Sequence, residues 1–165
     1  MHRLFALAAL AVVGALVLAA CGGSSYGANK SPSTGATSAP APTSSAATTI
    51  TAKSSSLGTF LVDAKGRTLY LWDADHGAMS TCAGECAQDW PPLTTKAEPK
   101  AGSGVKASLL GTSKRADGTE EVTYAGHPLY YFAGDTGAGQ ATGQGSGAFG
   151  APWWVVSPAG KALTG

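Results

Sequence analysis

Two copies of one short pattern carry the side chains in this sequence whose types could do chemistry. Each copy is a Tyr, any residue, a bulky aromatic residue, two further residues and an Asp. The copies consist of Tyr70, Trp72 and Asp75, and of Tyr130, Phe132 and Asp135. A carboxylate placed just before a Gly is typical of a turn, where it accepts backbone N–H bonds two residues on. We therefore interpret the motif as structural: its rings pack one face of a strand and its Asp closes the following turn.

Cys82 and Cys86 are the second candidate site. Their separation of four residues lets one helical turn or a compact loop bring the two Cα atoms to about 6 Å, within disulfide range. A redox pair is the alternative, but three residues lie between the two Cys instead of the two of thioredoxin-type motifs. Since no βαβ pattern surrounds them, we favour a structural disulfide.

His76, Met79 and His127 are the candidate metal ligands, in loops that flank the two motif strands. Imidazole and thioether groups suit a soft metal such as copper. The run 73–84 resembles the start of a calcium loop, but Gly occupies its fifth and twelfth positions, where ligands are required. Copper is therefore the one cofactor alternative to a domain without any. No nucleophile and base are suitably placed, so we expect no enzyme.

The N-terminal residues indicate how the protein reaches its location. A short basic start, Met1–Arg3, precedes an uncharged apolar run that ends in Leu-Ala-Ala before Cys21. This order predicts a lipoprotein signal peptide over residues 1–20. We expect a diacylglyceryl group on Cys21, with palmitate-type acyl chains that anchor the mature protein to the outer face of the cell membrane, or to an outer membrane if the host has one.

Composition divides the rest of the chain into a linker and a domain. Residues 21–52 are rich in Ser, Thr, Ala and Pro and are predicted to be a lipid-anchored linker without a core. The folded domain is predicted over residues 53–165. Without Arg3, the chain has 10 basic and 10 acidic residues, so its charge does not attract nucleic acid.

Apolar and β-branched runs separated by turn residues predict strands throughout the domain. A turn at Gly66 joins residues 60–62 to 68–72, Asp117-Gly118 marks a second hairpin, and residues 129–132 and 153–156 are further strands. In the first motif strand, alternation places Tyr70 and Trp72 on one face. Residues 94–106 read as a polar surface connection, and a Gly-rich loop spans residues 134–150.

The fold class that follows is mostly β, a single compact domain of two pseudo-repeated β-hairpin halves. A short helical or loop segment surrounds the Cys pair. Aligning Leu57-Gly58-Thr59 with Leu110-Gly111-Thr112 gives repeats at about 56–103 and 108–165.

The chain resembles a secreted bacterial repeat family described as predicted lipoproteins with a conserved Tyr-x-aromatic-x-x-Asp motif. The shared features include both motif copies, both Cys and three further segments: Trp90-Pro91-Pro92-Leu93, the run from Tyr124 to Tyr130, and Trp154-Val155-Val156. The resemblance implies an exported, usually lipid-anchored protein whose activity is not established. It supplies no catalytic residues.

We therefore expect a non-catalytic cell-envelope lipoprotein that acts as a binding or interaction module. Its partner would be an envelope protein or a small ligand. The anchor on Cys21 would be its contact with the membrane. The alternative is an envelope protein that handles redox equivalents through Cys82 and Cys86, or copper through His76, Met79 and His127.

Overall fold

A computed structural model of the protein describes residues 47–164, and their fold is mostly β, as predicted. These residues contain one short helix, α1 (Glu85–Asp89), and single 3₁₀ turns at Ala107–Leu109 and Ala148–Gly150. The strands in chain order are β1 (Thr49–Ser55), β2 (Gly58–Asp63), β3 (Tyr70–Trp72), β4 (Thr94–Thr95), β5 (Lys100–Ala101), β6 (Leu110–Lys114), β7 (Glu120–Tyr124), β8 (His127–Pro128) and β9 (Trp153–Val155).

The strands of this part of the chain form three small sheets. In the first, β1 lies between an antiparallel β2 and a parallel β5. In the second, β3 and β9 pair antiparallel. In the third, β7 lies between β4 and β6 and also pairs with β8. Because β3 and β9 lie far apart in the chain, their pairing ties the start of the domain to its end.

The folded part begins at Thr49, four residues before the predicted boundary at residue 53. Ile50 is fully buried and belongs to the core, and β1 pairs with β2 along its whole length. The error has a simple cause. One Ile among Ser, Thr and Ala hardly changes the composition, yet its burial contributes about 1.5–3 kcal/mol.

The β1–β2 and β6–β7 hairpins are equivalent parts of two repeats. Leu61 of β2 donates its N–H to the Val156 carbonyl, and Val122 of β7 donates its N–H to the Leu93 carbonyl, both at 2.8 Å. Leu61 and Val122 therefore hold the same place in their repeats. The two repeat-like halves predicted from the sequence are confirmed.

The predicted alignment of residues 57–59 with residues 110–112 is wrong. Residues 110–112 lie in β6, whose pairing with β7 makes them equivalent to residues 50–52 of β1. Gly58 follows the hairpin turn and has φ 107°, a backbone conformation that favours Gly, whereas Gly111 lies within a strand. The two Leu-Gly-Thr runs have the same sequence but occupy different positions in their hairpins.

The first motif strand is buried on both faces, as its alternation predicts. Tyr70 and Trp72 of β3 point into one core cluster, together with the Cys pair and Trp90. Leu69 and Leu71 point into a second cluster. β3 therefore separates two apolar layers and has no face in contact with solvent.

Two predicted strand arrangements are wrong. A turn does join Asp63 to Arg67, but only one bridge, Val62 to Thr68, extends it, and β3 then pairs with β9. Residues 129–132 are not a regular strand, because Tyr130 makes isolated bridges instead. In both places the chain leaves its neighbour in sequence to pair with the other repeat.

Two predicted loops also have more structure than expected. Residues 94–106 contain β4 and β5, two-residue strands too short to show any periodicity in the sequence. In the Gly-rich loop, buried Gly143 packs so closely on Trp90 that a Cβ atom there would lie 2.6 Å from the indole ring. That loop is therefore a closely packed cover over the core.

Candidate functional site

The two repeat motifs meet at the centre of the domain. Tyr70 donates its backbone N–H to the Tyr130 carbonyl, and Tyr130 donates its own to the Tyr70 carbonyl, both at 2.9 Å. Residues that exchange both bonds form a hydrogen-bonded antiparallel pair. The motif Tyr residues therefore lie side by side, related by an approximate twofold axis between the repeats.

The side chains of the motifs are exchanged between the repeats. The Tyr70 hydroxyl donates to Asp135 Oδ2 at 2.6 Å, and the Tyr130 hydroxyl donates to Asp75 Oδ2 at 2.5 Å. Burial and the acceptor Asp135 raise the pKa of Tyr70. Burial, the charge of Glu121 and the bond to Asp75 raise the pKa of Tyr130. Both phenols therefore stay protonated and act as donors.

The second oxygen of each motif Asp closes a turn, but over a longer distance than predicted. Asp75 Oδ1 accepts the N–H and hydroxyl of Thr81, at 2.7 and 2.8 Å. Asp135 Oδ1 accepts the same two groups of Thr142, at 2.9 and 2.6 Å. The partners lie six and seven residues on, not two. The two Thr residues were a signal that sequence reasoning missed.

A column of four packed rings contains the second aromatic residue of each motif, Trp72 and Phe132. Trp72 stacks on Trp153 with centroids 5.0 Å apart, Trp153 on Trp90 at 4.0 Å, and Phe132 lies against Trp90 at 4.4 Å. The column is buried except for Phe132, which is half-buried. The motif rings therefore serve the core, as the sequence analysis proposed.

Cys82 and Cys86 form a disulfide with Cα atoms 5.3 Å apart. Cys86 lies within α1, so the expected short helical segment around the pair is also present. Both Cys residues are buried. A sulfur must be reached by a thiolate to exchange, so their burial favours a structural bond.

An ion pair that sequence reasoning missed lies beneath the disulfide. Arg115 Nη1 is 2.7 Å from Glu121 Oε2, and Glu121 is fully buried. Arg115 also donates to Ser80 Oγ at 2.7 Å and to the Cys82 carbonyl at 2.6 Å. Since Ser80 Oγ lies 2.6 Å from the Tyr130 hydroxyl, the ion pair joins the motif network.

The Glu121 carboxyl is held in an unfavourable place for a charge. Burial, together with the nearby charge of Asp75, outweighs Arg115 and raises the pKa of Glu121 to about 7. Within residues 47–164, its Oε1 atom and the Nε atom of Arg115 have no hydrogen-bond partner. The group is enclosed, so it influences stability and does not meet a ligand.

The predicted metal ligands lie on separate elements. His76 and Met79 are exposed in the loop after β3, whereas His127 begins β8 and pairs with Tyr124 of β7. Residues 47–164 contain no group of three or more His, Cys, Asp or Glu side chains arranged to hold a metal ion.

A surface cleft of about 640 Å³ lies beside β6, and we name it the β6 cleft. One wall is residues 95–99, and the other is Ala107 with residues 110–112 and Glu120. Lys96, Glu98 and Glu120 are exposed at this cleft, and apolar atoms of Ala97, Pro99 and Leu110 also line it. Nothing in the sequence marked these residues, because β4 and β5 were not predicted.

A family model described as a secreted repeat of unknown function matches residues 51–94 and again residues 111–157. The two matches cover more than half of the chain and correspond to the two structural repeats. The chain belongs to this family. Searches of the curated proteins and of the solved structures found no match to this chain.

Membership of a secreted family means that the protein is exported. No helix within residues 47–164 is long and apolar enough to cross a membrane. Cys21 and the predicted signal and linker up to residue 46 lie outside the described residues.

The exchange between motifs predicts which pairs are energetically coupled. In a double-mutant cycle, Tyr130→Phe and Asp75→Ala should show a coupling of about 1–3 kcal/mol, because each single change leaves a buried polar group without its partner. Urea denaturation of the four proteins measures it. Tyr70→Phe with Asp75→Ala is the matched control, since those residues share a motif but no hydrogen bond. Equal coupling in both cycles would contradict the exchanged arrangement.

The raised pKa of Glu121 predicts a pH-dependent stability. A carboxyl whose pKa is higher in the folded protein stabilises the fold when protonated, so its contribution is complete below about pH 4 and is lost as pH rises through about 7. Relative to Glu121→Gln, the wild-type free energy of unfolding should fall by on the order of 2–3 kcal/mol between pH 5 and 8.

Denaturant titrations at several pH values measure this difference. Exposed Glu120→Gln in the adjacent position serves as the control and should track the wild type. A difference between wild type and Glu121→Gln that stays constant with pH would show that the carboxyl titrates normally.

Proposed function

We propose that the protein is a non-catalytic binding module, held at the outer face of the cell membrane by a lipid anchor on Cys21. The observation that carries the proposal is the β6 cleft. Its volume of about 640 Å³ falls within the range of about 300–1,000 Å³ that is usual for ligand sites. Its mixture of apolar surface and exposed charge suits recognition of a ligand that has both.

The positions of the motif residues support this choice of site. Tyr70 and Tyr130 are fully buried, and Asp75 is 5 % exposed. The Tyr hydroxyls donate to the Asp carboxylates, and the second oxygen of Asp75 accepts the backbone N–H of its turn. A side chain that is enclosed and already paired has no capacity left for a ligand. The motif therefore serves the fold, and recognition falls to the surface that the fold presents.

The anchor follows from the signal sequence together with export. Export is a property of the family, and the Leu-Ala-Ala-Cys order at residues 18–21 is the feature that a lipoprotein signal requires. Two acyl chains on one Cys give stable attachment, which a single chain does not. The ligand would then be another envelope component or a small molecule outside the membrane.

Removing the lipid acceptor tests the anchor. Cys21→Ala should move the protein from the membrane pellet to the soluble fraction and abolish labelling by an alkyne analogue of palmitate, because no thiol remains for the acyl groups. Fractionation and in-gel fluorescence measure the two effects. Cys82→Ala is the matched control and should keep both the label and the membrane location. Retention of label by Cys21→Ala would refute the anchor.

Filling the β6 cleft tests the binding site. The wild-type chain, purified in detergent with its anchor, is incubated with an envelope extract, and retained proteins and small molecules are identified by mass spectrometry. A specific component should be lost with Thr112→Trp, whose indole occupies the cleft. Thr59→Trp, an exposed Thr in strand β2 of the other repeat, should retain it. Retention by all three proteins, or by none, would contradict the proposal.

A further inference from the structure

The two repeats provide an internal comparison of their sheet edges. Leu61 and Val122 hold equivalent places, and they are paired across their hairpins with Ala52 of β1 and Thr112 of β6. By the same register, Ile50 is equivalent to Leu110. Any group bound to the outer edge of β1 therefore has a corresponding position on the outer edge of β6.

In the first repeat this edge is covered by the chain itself. Gly102 donates its N–H to the Ile50 carbonyl at 2.7 Å, and Ala52 donates its N–H to the Ser103 carbonyl at 2.8 Å. Residues 100–103 thus lie against β1 as an added parallel strand. The covering segment saturates the backbone groups that an edge strand otherwise leaves open.

In the second repeat the same groups have no partner strand within residues 47–164. Val122 donates its N–H to the Leu93 carbonyl, and its own carbonyl accepts the N–H of Leu129. Thr112 and Val122 are therefore a pair that exchanges no hydrogen bonds. The backbone N–H and carbonyl of Thr112 point away from β7. In the described part of the chain, β6 has a neighbouring strand on one side only. Among residues 47–164, the Thr112 N–H and the Leu110 carbonyl therefore have no strand partner, and both residues also line the β6 cleft.

We propose that the outer edge of β6, beside the β6 cleft, binds an extended segment of a second exported protein, which adds to β6 as a strand in the place that residues 100–103 hold on β1. This inference rests on the binding function proposed above and names the class of its ligand. A backbone that docks on an open edge gains hydrogen bonds that do not depend on its sequence, while the cleft walls select its side chains.

The residues that line the two edges indicate how selection differs. A Cβ atom on Gly102 would lie 2.5 Å from the Thr51 methyl carbon, so the segment on β1 requires Gly at this point. The β6 residue equivalent to Thr51 is Gly111, which has no side chain. On β6 that methyl group is absent, so the closest of the contacts that exclude a side chain from the segment on β1 is removed for a segment bound to β6.

A second copy of this chain is a less suitable occupant. Two β6 strands related by a twofold axis in a symmetric dimer would pair antiparallel. The segment that covers β1 is parallel and comes from a single extended stretch. The template that the fold provides is therefore a linear peptide, and dimer formation becomes an outcome for the experiment to exclude.

Peptide selection on the purified full chain tests the proposal. Linear ten-residue peptides selected from a displayed library on the wild type should bind Thr112→Pro about tenfold or more weakly, because Pro removes the open N–H. An edge strand accepts Pro where the N–H faces outward, so the variant should fold, which circular dichroism checks. Thr59→Val, at an exposed position in β2 of the other repeat, is the control and should bind as the wild type does.

A second measurement uses the wild type alone. N-methylation of a selected peptide at every second residue should abolish binding, and N-methylation at the intervening residues should leave it unchanged, since only alternate N–H groups face β6. Any of three results would overturn the added strand: peptides that bind Thr112→Pro as well as the wild type, an N-methylation effect that does not alternate along the peptide, or a selection that yields no peptide.

Light scattering measures the molar mass of the protein and so shows whether it forms a dimer. A dimer that Thr112→Pro dissociates would make the occupant a second copy and overturn the proposal. If Thr112→Trp loses an envelope component that Thr112→Pro retains, the binding function stands and the added strand is wrong. If neither Thr112→Trp nor Thr112→Pro loses the envelope component, both the binding function and the added strand are wrong.

Discussion

The domain depends on one interaction, the pairing of Tyr70 with Tyr130 across the approximate twofold axis. Two backbone hydrogen bonds join these residues, and each phenol then reaches the Asp of the opposite motif. Neither repeat satisfies its own motif, because each Tyr needs the other repeat's carboxylate and each Asp needs the other repeat's phenol. An isolated repeat would lose these hydrogen bonds and would expose to water the Tyr rings that the other repeat covers. Such a constraint explains why the pattern occurs twice.

The rest of the core is arranged around this pair. The ring column places an indole from each repeat at its centre, with Trp153 and Trp90 4.0 Å apart, and Tyr70 and Tyr130 meet these rings edge-on. Arg115 connects the centre to the disulfide through the Cys82 carbonyl. Burial of a carboxylate such as Glu121 is expensive without a partner, and the ion pair with Arg115 offsets part of that cost. The polar network and the aromatic column are two layers of one interior.

Because the motifs are used within the core, differences between the repeats are the more informative guide to function. The repeats share their hairpins and their central Tyr, but within residues 47–164 only the first has its sheet edge covered by a further strand. Residues 95–99, which immediately precede the segment that covers β1, form one wall of the β6 cleft. One connection therefore closes the edge of the first repeat and shapes the site beside the second. The asymmetry arises where two equivalent hairpins meet a single linking segment.

Much of the local structure was predictable from the residues. Alternation placed Tyr70 and Trp72 on one face, Asp117-Gly118 located a hairpin, and the spacing of the Cys pair indicated its disulfide. Errors occurred where a partner is distant in the chain. Ile50 was assigned to the linker because its pocket is made by the other strands, and the motif Asp residues were assigned to short turns because their phenol partners lie 55 and 65 residues away. Glu121 gave no signal, since a Glu in a strand usually faces water.

The sequence by itself determined the hairpin turns, the faces of the first motif strand and the Cys pair, because these follow from contacts between residues near one another in the chain. It also indicated two repeats, because the motif occurs twice. Only the tertiary structure decided which strand pairs with which, that each motif Tyr binds the Asp of the other motif, and that one of two equivalent edges has no further strand within residues 47–164. Backbone hydrogen-bonding groups are the same at every residue, so a sequence does not state which edge they will meet. That choice is made when all the apolar faces are buried together.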